Sequence, residues 1–246
     1  MLENRFIRSL RIDWSKIPEH SYLRDITALD GLTKLAFSRN LTFFVGENGT
    51  GKSTLLEGIA VAYGFNPEGG TLNYRFSTYD DVSELGTAIS FSRGFRRPAS
   101  SYFFRAESFF NVASKAEDYR DVTPKEIYYA RYGGKSLHEQ SHGESFLSFF
   151  LSFEGPGLYL MDEPEAALSP QRQLTLLIQI ARMAEQGSQF LIASHSPILL
   201  GIPGAQILSF DEGRIRECAY EETESYEITE MFINHREALL SRLLDN

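Results

Sequence analysis

Residues Gly46 to Thr54 read GENGTGKST and stand between an apolar run, Leu41 to Val45, and a helical pattern, Leu55 to Ala62. Glycines at 46, 49 and 51 let the backbone curl so that successive N–H groups face one concavity, and a helix starting there adds its positive end. Phosphate oxygens fit such a cradle. In that geometry Lys52 reaches the β and γ phosphates, the Ser53 hydroxyl is one ligand of an octahedral Mg²⁺ bridging them, and Thr54 caps or packs. An accidental glycine-rich turn would match this pattern in about one per cent of chains of this length. The stretch therefore predicts a strand, a phosphate loop and a helix in an α/β fold, with nucleotide held by Gly46, Glu47, Asn48, Gly49, Thr50, Gly51, Lys52, Ser53 and Thr54.

Three further constellations lie downstream. Leu158 to Glu163 (LYLMDE) is an apolar strand ending in two carboxylates, closed by Pro164. Successive strand residues point to opposite sides, so the two carboxylates can take different work at the sheet's carboxyl end. Asp162 then serves the Mg²⁺ shell through water, and Glu163 orients and deprotonates the attacking water. Upstream, QSHGES (Gln140 to Ser145) opens an apolar helix containing Phe146, Leu147, Phe149, Phe150, Leu151 and Phe153. Ser141 and Glu144 fit a capping box, but Gly143 inside the first turn costs about 1 kcal/mol against Ala, which favours a close approach of phosphate. Further on, His195 follows the apolar FLIAS and is placed to contact the γ-phosphate and the attacking water.

The 246 residues suffice for one large α/β domain, and the proportions of hydrophobic (42%) and charged (23%) residues suit a globular fold. The single Cys218 excludes an internal disulfide framework and suits the reducing cytoplasm. The N-terminal MLENRFIRSLRIDW carries charges every few residues, unlike a signal peptide. Gly187 to Phe210 is free of Asp, Glu, Lys and Arg, yet His195, Pro197, Gly201, Pro203, Gly204 and Gln206 divide it into two strands and a loop, so no integral membrane segment is expected. A net charge of −9 argues against a uniformly basic nucleic-acid surface. One local candidate is SRGFRRPASSYFFR (Ser92 to Arg105), with arginines among aromatics; a solvated hairpin with arginine tips over a packed aromatic face is the more ordinary reading.

Alternating segments at Phe6 to Asp13 and Lys34 to Phe37 predict a small antiparallel sheet before the first core strand. Thr87 to Arg105 reads as a hairpin around Gly94 and Pro98, and Glu107 to Tyr119 and Pro124 to Tyr132 as helices. From Gly157 the pattern becomes strand, helix, strand, with the helix at Pro170 to Gln186 capped by Ser169 and carrying a stripe of Leu174, Leu177, Ile178 and Ala181. Such alternation implies a parallel sheet. After Tyr226, Ile228, Met231, Phe232, Leu239, Leu240, Leu243 and Leu244 recur at helical spacing as core or docking contacts.

In this order the motifs resemble the ATP-binding-cassette (ABC) ATPases. GENGTGKST matches Walker A, QSHGES stands in the place of the LSGGQ signature, LYLMDEP is Walker B with its following glutamate, EAALS is like the D-loop and ASHSP like the His switch. The resemblance implies a P-loop NTPase core with a mostly parallel sheet, N-terminal antiparallel strands and an inserted helical signature lobe. The single domain would have its core at about 1–63 and 154–246 and its lobe at about 64–153. ATP and Mg²⁺ are implied as cofactors, with an ATP-dependent homodimer in which Ser141 and Gly143 of one chain close over nucleotide held by the other. Gln140, His142 and Glu144 depart from the signature consensus. Glu107, in FFRAESFFN, takes the place of the Q-loop glutamine beside the metal, and Tyr22 that of the aromatic that stacks on adenine.

No heptads are sustained between Lys52 and His142, which excludes a coiled-coil arm. The chain looks like a compact stand-alone ATPase of the RecF- and SMC-like sort. That resemblance implies ATP-driven dimerisation acting on DNA or on a partner effector protein. The alternatives are the nucleotide-binding subunit of a membrane transporter, and a nucleotide switch with little turnover.

Overall fold

The apolar run before the phosphate loop forms a central strand of the molecule, and the rest of the fold is layered around it. A computed structural model describes residues 5–72, 83–106, 142–153, 155–166 and 168–244. In chain order the strands and α-helices are β1 (Ile7–Ile12), β2 (Lys34–Ala36), β3 (Leu41–Val45), α1 (Lys52–Tyr63), β4 (Gly70–Thr71), α2 (Glu84–Ala88), β5 (Ile89–Arg93) and β6 (Ser100–Arg105). They continue with α3 (His142–Leu151), β7 (Gly157–Asp162), α4 (Pro170–Glu185), β8 (Gln189–Ala193), α5 (Pro197–Leu200), β9 (Gln206–Ser209), β10 (Arg216–Glu217) and α6 (Glu224–Leu244).

Among the described residues, seven strands form the main sheet in the order β10-β9-β3-β8-β7-β6-β4. The strands from β9 to β6 run parallel, and the short edge strands β10 and β4 are antiparallel. A buried parallel sheet needs apolar residues on both faces, and the strands supply them alternately. Phe44, Leu158, Leu160, Leu191 and Ala193 face α1 and a second, three-stranded sheet of order β2-β1-β5. Phe43, Tyr159, Met161, Phe190 and Ile192 face the opposite layer, which contains α3, α4 and α5.

Two buried glutamines help fasten the N-terminal strands to the main sheet. Gln189 Oε1 accepts from the Phe6 and Ile7 N–H groups at 2.8 Å each, and its Nε2 donates to the Ile7 carbonyl at 2.7 Å. Gln206 Oε1 accepts from the Ser38 N–H at 2.9 Å and from the Thr42 hydroxyl at 3.2 Å. Gln189→Leu keeps the side-chain volume but strands buried backbone groups of residues 6 and 7. We expect it to lower the free energy of unfolding by about 3 kcal/mol in urea denaturation.

Several sequence expectations are corrected. Residues 87–105 are not a hairpin: β5 pairs with β1 in the small sheet, whereas β6 pairs with β7 in the main one. The arginine and aromatic segment is thereby divided. Arg93 lies over the Tyr63 ring at 4.9 Å, while Tyr102, Phe103 and Phe104 are buried core and Arg105 ends a core strand. β4, β5 and β6 are built into the two sheets. The expected helices at 107–119 and 124–132 lie outside the described residues.

On α4, Leu176, Ile180 and Met183 are the buried residues, whereas Leu174 and Ile178 are exposed. The main sheet sits about one position round the helix from the expected stripe. Ser169 precedes α4 with Pro170 at its first turn, but its side chain makes no capping hydrogen bond. The tail is helical as expected, yet no described residue of α6 is fully buried, and Ile228, Met231, Phe232, Ile233, Leu243 and Leu244 are exposed.

Candidate functional site

The parallel register brings the carboxyl ends of four neighbouring strands level. Phe44 of β3 pairs with Ala193 of β8, which pairs with Asp162 of β7, and Asp162 pairs in turn with Arg105 of β6. The chain leaves these strand ends as loops, and residues from them converge above the sheet.

From β3 the chain turns at Gly46 (φ 138°) and enters α1 through Gly51 (φ 99°). A Cβ on Gly46 would come within 2.8 Å of Asp211 Oδ1, and one on Gly51 within 2.6 Å of Ile26 Cγ2, so both positions require glycine on two grounds. Asn48 and Gly49 form the exposed crest of the loop. The Thr50 hydroxyl donates to the Glu47 carbonyl at 2.8 Å, bracing the curl. Lys52 is buried and its ammonium donates to the carbonyls of Gly46 and Glu47, both at 2.6 Å. Burial pulls the Lys52 pKa down from its ordinary value, and the nearby carboxylates of Glu163, Asp211, Asp162 and Glu47 oppose that pull.

Opposite the loop, the Ser53 hydroxyl in the first turn of α1 donates to Asp162 Oδ1 at 2.8 Å. A hydroxyl and a carboxylate this close offer a hard cation two oxygen ligands, and this donor set fits Mg²⁺. Asp162 also has Arg105 Nε 3.9 Å from its Oδ2, while Arg105 Nη1 donates to Glu57 of α1 at 2.8 Å and to the Pro67 carbonyl at 3.1 Å.

Glu163 has φ 48°, a left-handed backbone that costs a non-glycine residue energy and recurs at functional positions. Its N–H donates to the Ala193 carbonyl at 3.0 Å, and its carboxylate Oε1 lies 3.9 Å from His195 Nε2. Lys52, Ser53, Asp162, Glu163 and His195, which come from separate stretches of sequence, thus border one another. Thr54 lies in the first turn of α1, half-buried. Tyr22 stands exposed on a 3-10 turn whose continuation carries Ile26 against Gly51. Gly143 is buried in the first turn of α3, next to Glu144, which accepts from Arg172 of α4 at 2.8 Å. Ser141 and Glu107 lie outside the described residues.

Three neighbours of the site escaped sequence reading. Arg105 was assigned to a surface hairpin, and only the β6–β7 register reveals that it ends level with Asp162. Asp211 follows β9 and accepts the Glu47 N–H at 3.0 Å. Glu165 accepts from the Ser194 hydroxyl at 2.9 Å and from the His195 N–H at 2.6 Å. Glu165 begins the D-loop-like EAALS, but neither that motif nor an acid after a strand says which loop the side chain will contact.

The fold and the site define a P-loop nucleoside triphosphatase with its motifs in ABC order. Two family models match parts of the chain: one described as "AAA domain" over residues 22–128, and one described as "AAA domain, putative AbiEii toxin, Type IV TA system" over residues 145–201. The hemin import ATP-binding protein HmuV of Rhodopseudomonas palustris is 24% identical over 77% of this chain and 75% of its own length. An ABC transporter ATP-binding/permease protein of Mycobacterium tuberculosis is also 24% identical, over 79% of this chain but only 24% of that protein. Among solved structures, cbiO1 from Clostridium perfringens, part of the ABC transporter complex cbiONQ, has a TM-score of 0.49 at 17% identity, covering 98% of this chain and 100% of that one. The SMC head domain from Thermotoga maritima has a TM-score of 0.46 at 12% identity, covering 87% and 98%. The chain is thus similar to ABC-type P-loop ATPases. Among the described residues, no helix is long and apolar enough to cross a membrane.

Proposed function

We propose that the protein hydrolyses ATP to ADP and phosphate with Mg²⁺, within a homodimer that forms around the nucleotide, and is of the compact RecF- and SMC-like sort. The observation that carries this reading is the junction of the Ser53–Asp162 pair, at 2.8 Å, with the Glu163–His195 pair, at 3.9 Å, beside the glycine loop. Residues 46–54 hold the phosphates, with Lys52 supplying positive charge. Ser53 and Asp162 would hold Mg²⁺, with Glu107 at its side, and the ion would supply positive charge toward the transferred phosphoryl group. Glu163 takes a proton from the attacking water, and His195 orients that water against the γ-phosphate. Tyr22 stacks on adenine, and Ser141 and Gly143 come from the second chain.

Turnover coupled to DNA or to an effector protein, in the cytoplasm, completes this reading. Arg93, Arg96 and Arg97 are what remains of the basic segment for DNA, since Arg105 belongs to the site. The similarity to transporter ATP-binding proteins favours a second reading, the nucleotide-binding subunit of a transporter. One experiment addresses both: ATP hydrolysis measured against protein concentration, with and without DNA. The dimer reading expects a rate that rises as the square of concentration when protein is dilute. A strictly linear rate, together with copurification of an integral-membrane partner, would instead support the transporter subunit.

A further inference from the structure

Glu165 is a buried acid that the hydrolysis described above does not use. It lies in the turn after β7, three residues past Asp162, and the turn is closed by the Ala166 N–H donating to the Glu163 carbonyl at 3.1 Å. Its Oε1 accepts twice from the loop after β8, from the Ser194 hydroxyl and from the His195 N–H. These contacts extend into a closed polar ring. The Ser196 N–H donates to the Ser194 hydroxyl at 3.1 Å, and the Ser196 hydroxyl donates to Gln173 Oε1 of α4 at 2.6 Å. Gln173 Nε2 donates to the Leu168 carbonyl at 3.1 Å, and the Leu168 N–H returns to the Glu165 carbonyl at 2.8 Å. Ser194 and Ser196 are buried, so water competes little for these bonds.

The ring joins residues 163–166 and 168, which carry the Glu163 carboxylate, to residues 194–196, which carry His195. Among the described residues, the other carboxylate oxygen of Glu165 is buried with no hydrogen-bond partner, as is His195 Nε2. Burial raises the Glu165 pKa, in keeping with a side chain enclosed by protein.

We infer that Glu165 is a positioning residue: it sets His195 opposite Glu163 and carries any displacement of the 163–168 turn to His195. This inference rests on the reading of Glu163 and His195 given above. In a dimer that places the 163–168 turn against a second chain, docking of that chain would be felt at His195 through one side chain.

The test compares Glu165→Ala, which removes the acceptor, with Glu165→Gln, which keeps an oxygen for both donors. The first readout is the ring resonances of ¹⁵N-histidine-labelled protein without nucleotide, with His195→Gln assigning the signal among the five histidines. Glu165→Ala should shift the His195 ring signal, and Glu165→Gln should leave it near the wild-type position. The second readout is turnover: Glu165→Ala should lower kcat on the order of 10- to 100-fold with ATP affinity within about twofold, and Glu165→Gln should recover most of it. If Glu165→Ala does not fold, Ser194→Ala removes one of the two bonds and should give a smaller shift and loss of the same kind. An unmoved His195 signal in a folded Glu165→Ala, or in Ser194→Ala where Glu165→Ala fails to fold, overturns the inference. Loss of ATP affinity equal to the loss of kcat would also overturn it, because a general loosening of the site would then explain both. The resonance measurement needs neither nucleotide nor dimer, so failure of the dimer reading leaves it interpretable.

Discussion

Glu163→Gln is expected to lower ATP turnover about 10²- to 10⁴-fold while leaving ATP affinity nearly unchanged. Glutamine keeps the size of the side chain and the N–H bond to Ala193 but cannot take a proton from water. Because the carboxylate is half-exposed, the substitution should disturb the fold little. The left-handed backbone at this position, φ 48°, costs glutamine about what it costs glutamate. If dimer closure precedes hydrolysis, the variant should also accumulate as an ATP-bound dimer on size-exclusion chromatography. Steady-state phosphate release checks the first expectation, and a variant as fast as the wild type would remove Glu163 from the reaction.

Lys52→Ala should weaken ATP binding about 100-fold, corresponding to about 2.7 kcal/mol, as read by titration with a fluorescent ATP analogue. The lysine is enclosed by the loop it serves, and its ammonium reaches the carbonyls of Gly46 and Glu47. Four nearby carboxylates favour its charged form against the cost of burial. Removing it leaves those carboxylates facing the triphosphate without their main counter-charge. Affinity should fall further than stability, since the backbone curl is held independently by Gly46, Gly51 and the Thr50 hydroxyl. Equal affinity in the variant and the wild type would show that phosphate is held by the loop's N–H groups alone.

The legible parts of this molecule are those in which backbone geometry dictates residue type. A phosphate loop demands glycine at set positions and lysine at one, so GENGTGKST fixed the strand, loop and helix around it. LYLMDE and FLIAS were equally clear, because a strand buried on both faces leaves few choices until it reaches the sheet edge. Pairing partners were not legible. Residues 89–93 and 100–105 both alternate as strands should, and nothing local to either says that one joins β1 and the other β7. The same blindness hid Arg105, whose position beside Asp162 depends on register.

Helix α4 illustrates a second limit. Leu174, Leu176, Leu177, Ile178, Ile180 and Met183 cover much of its circumference, so helical periodicity permits more than one inward face, and the sheet beneath selects Leu176, Ile180 and Met183. Its opposite side keeps Leu174 exposed beside Ile198, Tyr220, Tyr226 and Ile233, along a groove of about 420 Å³. Within the candidate site, Lys52, Ser53, Asp162, Glu163 and His195 were named from sequence because each sits at a strand end or loop position with a known chemical demand. Glu165 and Asp211 act through hydrogen bonds to other loops, and such partners become visible only in three dimensions.

The Gln189 link has a kinetic consequence. Its acceptor oxygen serves a backbone N–H 183 positions earlier in the chain, among the most distant pairings a polypeptide of this length can make. During synthesis β1 would emerge long before β8 exists, and for that interval its backbone groups must be paired by β2 and β5 or by water. Docking of the small sheet onto the main one should therefore be a late event in folding, slow in the way that long-range pairings are slow. An exposed, half-satisfied β1 at the ribosome is then the stage at which this chain would be most open to a chaperone.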